Sequence, residues 1–121
     1  MKYANHILIG VALLLFVSCG QQQQAKSLIK DFMAQQLADA SEQSYIDFSD
    51  IDSTRVVSDS ALTVMRSNVS ARYKSPQHYT ERKSDKLILM RVHYLLGNDT
   101  CSTTFYMDAE MEGVVAFKEN R

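Results

Sequence analysis

The sequence contains little cysteine, proline, glycine or histidine, and it contains no tryptophan. Its 121 residues include two cysteines, one proline and four glycines. Two cysteines are too few for a disulfide-stapled miniprotein or a cysteine-rich zinc domain. The scattered glycines form no phosphate-binding loop, and neither a Gly-x-Ser-x-Gly nor a His-Glu-x-x-His motif occurs. The sequence therefore lacks the local motifs of P-loop nucleotide-binding proteins, α/β-hydrolases and zinc proteases.

The chain also lacks an excess of charge of either sign. Its 13 basic and 14 acidic residues give a formal net charge of −1, and 45% of the residues are apolar. This composition is that of an ordinary globular protein, and the length fits one domain. A nucleic-acid partner is not expected, because nucleic-acid-binding domains carry a marked basic surplus. No cofactor is expected either.

The first 18 residues differ from the rest of the chain. Lys2 is followed by an uncharged apolar run over residues 7–17, which stops at Ser18 and Cys19. This is the length of the apolar region of a signal peptide, and it is short for a helix that needs about 20 residues to span a bilayer. We therefore predict a signal peptide over residues 1–18.

The end of this segment, Phe16-Val17-Ser18-Cys19, resembles the lipobox of bacterial lipoproteins, although the family more often has Leu where this chain has Phe16. The resemblance implies that the Cys19 sulfur carries a diacylglyceryl group and that the mature protein begins there. A plain signal peptide and an uncleaved anchor helix are the alternatives. Gly20, rather than Asp, after the cysteine implies the outer membrane. Lipoproteins of Bacteroidetes that reach the cell surface carry an acidic cluster at this point, and its absence implies a domain that faces the periplasm.

Residues 19–24, which include the glutamine run, are predicted to be the lipidated cysteine and a polar tether. Residues 25–121 are predicted to form a single domain. Apolar residues at helical spacing predict an amphipathic helix from Ala25 to about Ala40. Short strands are predicted at 45–48 and 54–57. Ser58, Asp59 and Ser60 are suitable N-cap residues for a second helix, whose apolar side would comprise Leu62, Met65, Val69 and Tyr73 and which would end before Pro76. Residues 74–85 are predicted to be a loop.

Three strands are predicted at 86–96, 101–108 and 113–119. A turn of two or four residues near Gly97 and Asn98 pairs even positions of the first strand with odd positions of the second. One face of the hairpin then carries Met90, Val92, Tyr94, Leu96, Cys101, Thr103, Phe105 and Met107. The same parity predicts that Val115 and Phe117 lie on this face.

The order of elements predicts an α+β domain in which the N-terminal helix lies on a curved antiparallel sheet that ends in a three-stranded meander. With Asp52-Ser53-Thr54 before a strand and the ending Ala116-Phe117-Lys118-Glu119-Asn120, this layout resembles small lipoproteins with cystatin-like or nuclear-transport-factor-2-like domains. In enzymatic relatives of this fold, the helix and the curved sheet form a cone, and an acid–base pair lies at its open end. By that analogy the candidates are Asp47, His93, Tyr94 and Tyr106. The Gln-x-Val-x-Gly loop of cystatin inhibitors is absent.

For the remaining candidate residues, a structural role is favoured over a metal or catalytic site. His78 and His93 lack further metal ligands at suitable spacing, and Asp47, Asp50 and Asp52 lack the glycine and glutamate of a calcium loop. Cys101 and His93 fall on opposite hairpin faces, which argues against a thiol–imidazole pair. We therefore predict no catalytic residue and no metal site.

The β-hairpin carries two further features that lead to predictions, a set of leucines on its polar face and a cysteine on its apolar face. Leu87, Leu89 and Leu95 share the polar face of the hairpin, which predicts that the second helix, an extended arm, a protein partner or a second copy covers them. Cys101 is predicted to be a buried, inert thiol. The sequence thus favours a lipid-anchored periplasmic domain that binds a ligand or a partner without catalysis. The alternative is a small pocket enzyme of the nuclear-transport-factor-2-like type, an isomerase or a hydro-lyase.

Overall fold

The computed structural model describes residues 20–39, 43–74 and 78–120, which form an α+β domain, as predicted. Residues 20–36 are helical and are called α1 here. The other elements follow in chain order: β1 (Gln43–Phe48), β2 (Asp52–Thr54), α2 (Asp59–Ser67), β3 (Leu87–Leu96), β4 (Asp99–Asp108) and β5 (Val114–Asn120). The predicted signal peptide, Cys19, Ala40 and Pro76 lie outside the described residues.

All five strands form one antiparallel sheet in the order β1-β3-β4-β5. β2 also pairs with β3, beyond the end of β1, so that β1 and β2 together form one interrupted edge. The β3–β4 hairpin has Leu96 opposite Asp99, and the turn between them is Gly97-Asn98. Gly97 has a φ of 63°, a left-handed conformation that glycine adopts without strain. The predicted even-to-odd register is therefore confirmed.

The register changes between β4 and β5 because of a bulge. Tyr106 lies opposite Ala116, but the next residue, Met107, lies opposite Val114. The extra residue reverses the face on which the start of β5 presents its side chains. Val114 and Phe117 join the cluster beneath α1, whereas Val115 joins the opposite cluster. The prediction for Phe117 is thus confirmed and that for Val115 is wrong.

The helix α1 lies on the face of the sheet that we call the inner face. Ile29 and Met33 are fully buried in one cluster with strand residues such as Met90 and Val92. The Phe32 ring contacts the rings of Phe105, Phe117 and Tyr79 at centroid distances of 6.1, 5.6 and 5.9 Å. The largest fully buried side chains on this face include Tyr94, Phe105, Phe117, Ile29, Met33, Met90 and Met107. The amphipathic pattern of α1 thus forms the main core.

Both ends of α1 differ from the prediction. Leu37 donates the last helical hydrogen bond, to the Met33 carbonyl, and then forms an isolated antiparallel bridge with Tyr73. The helix therefore does not continue towards Ala40, because the chain pairs with the 72–74 segment instead. At the other end residues 20–24 are helical, not an extended tether. Gln22 receives a hydrogen bond from the Ile51 amide (3.0 Å) and donates one to the Ser49 carbonyl (2.9 Å).

The second helix, α2, is shorter than predicted. Its N-cap is Ser58, whose hydroxyl accepts a hydrogen bond from the Ala61 amide (3.1 Å), as the sequence indicated. It ends at Ser67 with Asn68 as its C-cap, so Val69 and Tyr73 lie beyond it. The predicted strand at 54–57 is also wrong, because β2 stops at Thr54. Val56, which lies within the predicted strand, is 91% exposed and does not pack against the core.

The helix α2 covers one part of the opposite face of the sheet, which we call the outer face. Its buried residue Leu62 packs with Leu87, Val115 and Ala116. Arg66 fixes the helix to β5, because its Nε donates to the Val115 carbonyl at 2.9 Å. Further along the outer face Leu89 and Leu95 stay partly exposed. The predicted cover is thus present over Leu87 and incomplete over the other two leucines.

Candidate functional site

A polar cleft of about 550 Å³ lies at the end of the sheet nearest the β3–β4 turn. We call it the end cleft. One wall is the 70–72 segment, and the other parts come from the ends of β3, β4 and β5. Its lining residues are Ser70, Ala71, Arg72, Tyr94, Thr100, Cys101, Ser102, Thr103, Glu119 and Asn120.

The 70–72 wall is held in place by backbone and side-chain bonds. The Ala38 amide donates to the Arg72 carbonyl at 2.8 Å, which ties the wall to the end of α1. On the other side Glu119 accepts two hydrogen bonds from Ser70, from its hydroxyl at 2.8 Å and from its amide at 3.2 Å. Hydrogen bonds to a carboxylate are stronger than those between neutral groups. Glu119 therefore both carries the negative charge of the cleft and fixes its wall.

The floor of the cleft is a chain of buried hydroxyl groups. The Tyr94 hydroxyl lies 2.9 Å from that of Tyr73 and 3.2 Å from Thr103 Oγ1. Burial raises the pKa of the Tyr94 phenol, and burial followed by the proximity of Tyr94 raises the pKa of Tyr73. Both phenols therefore stay neutral, and the hydroxyl groups beneath the cleft satisfy one another rather than forming a charged base.

The rim of the cleft carries its positive charge. Arg72 forms an ion pair with Asp99, with an N–O distance of 3.6 Å, and both side chains are exposed. Ser102 and Asn120, at the ends of β4 and β5, also line the cleft. The Asn120 amide nitrogen donates to Thr104 Oγ1 at 3.0 Å, which fixes the end of β5 against β4. A cleft with these groups is suited to hydrogen-bonding a polar ligand.

Cys101 lies at the boundary between the end cleft and the core. It is 5% exposed, belongs to the cluster beneath α1 and is a free thiol. Its Sγ lies 3.9 Å from the Asp99 carbonyl oxygen. The predicted burial of this cysteine is confirmed, and its low reactivity stays a prediction.

The four residues selected by analogy with pocket enzymes do not meet at one site. Asp47 Oδ2 lies 3.7 Å from His93 Nδ1 on the outer face, where both side chains are well exposed. Tyr94 points from the same strand into the inner core, and Tyr106 packs on the outer face near Leu87. The alternation of side chains along β3 separates His93 from Tyr94. The structure therefore does not bring Asp47, His93, Tyr94 and Tyr106 together, as the analogy with pocket enzymes would have required.

Of the residues that line the end cleft, the sequence analysis named Tyr94 as a candidate but missed Glu119, Ser70 and Arg72. Glu119 alone of these three left a signal in the sequence. Glu119 lies opposite Thr103 in the sheet. Glu119 and Phe117 are two residues apart in β5, so their side chains lie on the same, mostly apolar face of the sheet. A carboxylate on such a face is unusual and indicates a site or a buried partner. Ser70 and Arg72 carried no comparable signal, because their position depends on the bridge between Leu37 and Tyr73.

A second buried carboxylate has a structural role. Asp108 Oδ1 accepts hydrogen bonds from the Glu112 amide at 2.8 Å and from the Gly113 amide at 3.0 Å. These bonds hold the β4–β5 turn, in which Met111 has a φ of 52°. Within residues 20–39, 43–74 and 78–120, no group of three His, Cys, Asp or Glu side chains could hold a metal ion.

The comparisons with known proteins gave no relative. No protein-family model matches the chain, and neither a curated protein nor a solved structure matches it. In the part of the chain that the structure describes, no helix has the length and apolar character needed to cross a membrane.

Proposed function

We propose that this protein is a lipoprotein, anchored to the outer membrane through Cys19, whose periplasmic domain binds a polar ligand or a polar segment of a partner in the end cleft. The lipobox-like sequence at residues 16–19 supports the anchor. The observation that carries the binding role is the cleft itself, an open volume of about 550 Å³ whose lining includes the charged residues Glu119 and Arg72 and the hydroxyl-bearing residues Ser70 and Thr100.

The interior of the domain supports binding over catalysis. The inner face beneath α1 is filled by fully buried apolar side chains such as Met90, Val92 and Phe105. A pocket enzyme would use an ionisable group with a shifted pKa at the bottom of a cavity. The buried residues that line the end cleft are Tyr94, Thr103 and Cys101, and the candidate pair Asp47–His93 lies on the other face. Burial raises the pKa of the Tyr94 phenol, which moves it further from the neutral range in which an acid–base catalyst works.

The lipid anchor is tested by mass spectrometry of the protein purified from its own membranes. We expect the mature chain to begin at Cys19 with a diacylglyceryl and an acyl modification, and to sediment with membranes. Cys19→Ala should give an uncleaved or soluble protein, whereas the matched variant Cys101→Ala should stay in the membrane fraction. An unmodified Cys19 thiol in the mature protein would contradict the anchor.

The binding role is tested by capture from the same membranes with two neighbouring variants of β5. Glu119→Gln removes the charge from the cleft, and Lys118→Gln changes the next residue, whose side chain is exposed and lies outside the cleft. We expect a bound molecule to be retained by the wild type and by Lys118→Gln and to be reduced with Glu119→Gln. Equal retention by both variants would contradict binding in the end cleft.

A further inference from the structure

Among the described residues that line the end cleft, Glu119 alone carries a carboxylate. It is partly buried, and it lies on the same face of β5 as the buried ring of Phe117. An ionised carboxylate that leaves water loses hydration energy, which hydrogen bonds and a positive charge can restore. The partners of Glu119 therefore decide what a ligand in this cleft has to supply.

The hydrogen bonds of Glu119 come from one residue, Ser70. The Ser70 hydroxyl donates to Oε1 at 2.8 Å, and the Ser70 amide donates to Oε2 at 3.2 Å. Each oxygen of an ionised carboxylate can accept more than one hydrogen bond. In the described residues no further donor reaches either oxygen. Both oxygens of Glu119 thus keep a free acceptor position.

The negative charge of Glu119 is not offset within the domain. No lysine, arginine or histidine of residues 20–39, 43–74 and 78–120 forms an ion pair with it. Arg72, which also lines the cleft, lies 3.6 Å from Asp99. Lys118 is the next residue of β5, so its side chain lies on the opposite face of the strand. Since Arg72 and Asp99 offset each other, the charge of the cleft is that of Glu119.

The buried groups near Glu119 add no positive charge. The Tyr94 hydroxyl bonds to those of Tyr73 and Thr103. Burial is the largest cause of the raised pKa of Tyr73 and of Tyr94, and the negative charge of Glu119 adds to it in both. The carboxylate is therefore close enough to act electrostatically on both phenols. A charged ligand group in the cleft would meet one negative charge beside neutral hydroxyls.

From this arrangement we propose that the end cleft binds a cationic group, a primary ammonium or a guanidinium, which donates hydrogen bonds to the free acceptor positions of Glu119. The inference rests on the proposed binding role of the cleft and names the chemical class of the ligand. Hydrogen bonds between ionised groups are stronger than neutral ones, and an anion would be repelled. The cation belongs either to a free amine or to a basic side chain of a partner, and a cleft of about 550 Å³ admits both.

Calorimetric titration of the mature protein, purified from its own cells in mild detergent, tests the charge of the ligand. The cationic probes are putrescine and the peptide acetyl-Gly-Lys-Gly-amide. Their neutral counterparts are butanediol and acetyl-Gly-Gln-Gly-amide. We expect at least one cation to bind with a dissociation constant below about 1 mM, and about tenfold more tightly than its counterpart. Binding of putrescine alone identifies a free amine, and binding of the peptide alone identifies a basic side chain of a partner. Neutral probes that bind as tightly as the cations would overturn the proposal.

Three variants test whether Glu119 is the cause. Glu119→Gln keeps an oxygen that can accept from Ser70 but removes the charge, so it should weaken cation binding about tenfold and abolish the preference for cations. Ser70→Ala releases the wall but keeps the carboxylate, so the preference should remain. The control Asp50→Asn removes an exposed carboxylate outside the cleft lining and should bind like the wild type. A preference for cations that survives Glu119→Gln would overturn the proposal.

The outcomes also separate this inference from the binding role on which it rests. A neutral or anionic molecule that is captured from the membranes and lost with Glu119→Gln would overturn the cationic ligand and leave the binding role intact. A protein that captures no molecule and binds none of the four probes would contradict both.

Discussion

The inner face of the sheet carries Met90, Val92 and Phe105, which are fully buried beneath α1. The outer face is buried where Leu62 of α2 packs on Leu87, Val115 and Ala116, and it is partly exposed at Leu89 and Leu95. The two faces come from the same strands and differ only in the parity of their residues. The hydrophobic effect scales with the apolar area removed from water, so most of the stability should come from the inner face. The outer face can then vary with little effect on folding.

The largest effect is expected at the centre of the inner face. Phe105 is fully buried, and its ring contacts Phe32 and Phe117 at centroid distances of 6.1 and 5.8 Å. Phe105→Ala removes these contacts and leaves a cavity, which should lower the free energy of unfolding by about 3–5 kcal/mol. Urea unfolding followed by circular dichroism measures this change. A loss below about 1 kcal/mol would mean that α1 does not cover this face.

A smaller effect is expected where α2 covers the outer face. Leu62→Ala should lower the free energy of unfolding by about 2 kcal/mol, at the low end for buried leucines, because a short helix at the surface can move to fill the space. Val64 of the same helix is 55% exposed, and Val64→Ala should cost less than about 0.5 kcal/mol. Similar losses for the two variants would show that α2 does not pack through Leu62.

Alkylation and substitution of Cys101 test whether the end cleft is closed off from the core of the inner face. Its burial predicts slow alkylation in the native protein and rapid alkylation in denaturant, because the reagent cannot reach the sulfur until the domain opens. Cys101→Ala should lower the free energy of unfolding by about 1 kcal/mol, because a small buried group is removed. Timed alkylation with mass detection measures the first effect and urea unfolding the second. Fast native labelling would mean that the cleft admits reagents to the sulfur.

The inner face was predictable from the sequence and much of the cleft was not, for physical reasons. Alternation along β3 and β4 with a two-residue turn fixes which side chains share a face. The bulge that moves Val115 to the outer face has no such local signal, since Val114 and Val115 are equivalent as sequence. The position of Ser70 depends on the pairing of Leu37 with Tyr73, which are 36 residues apart. Long-range pairing of this kind overrides the local helical pattern that predicted a later end for α1 and a longer α2.

The smallest effect is expected for the ion pair of the outer face. His93 Nδ1 and Asp47 Oδ2 lie 3.7 Å apart, and their side chains are 43% and 67% exposed. Exposed ion pairs contribute little, since water screens the charges and both side chains lose rotamer freedom. Asp47→Asn should therefore change the free energy of unfolding by less than about 0.5 kcal/mol between pH 5 and pH 8. Urea unfolding at both pH values measures it, with the exposed Asp50→Asn as the control. A loss of more than about 1 kcal/mol at either pH would show that this pair is shielded from water and that the outer face is covered in solution.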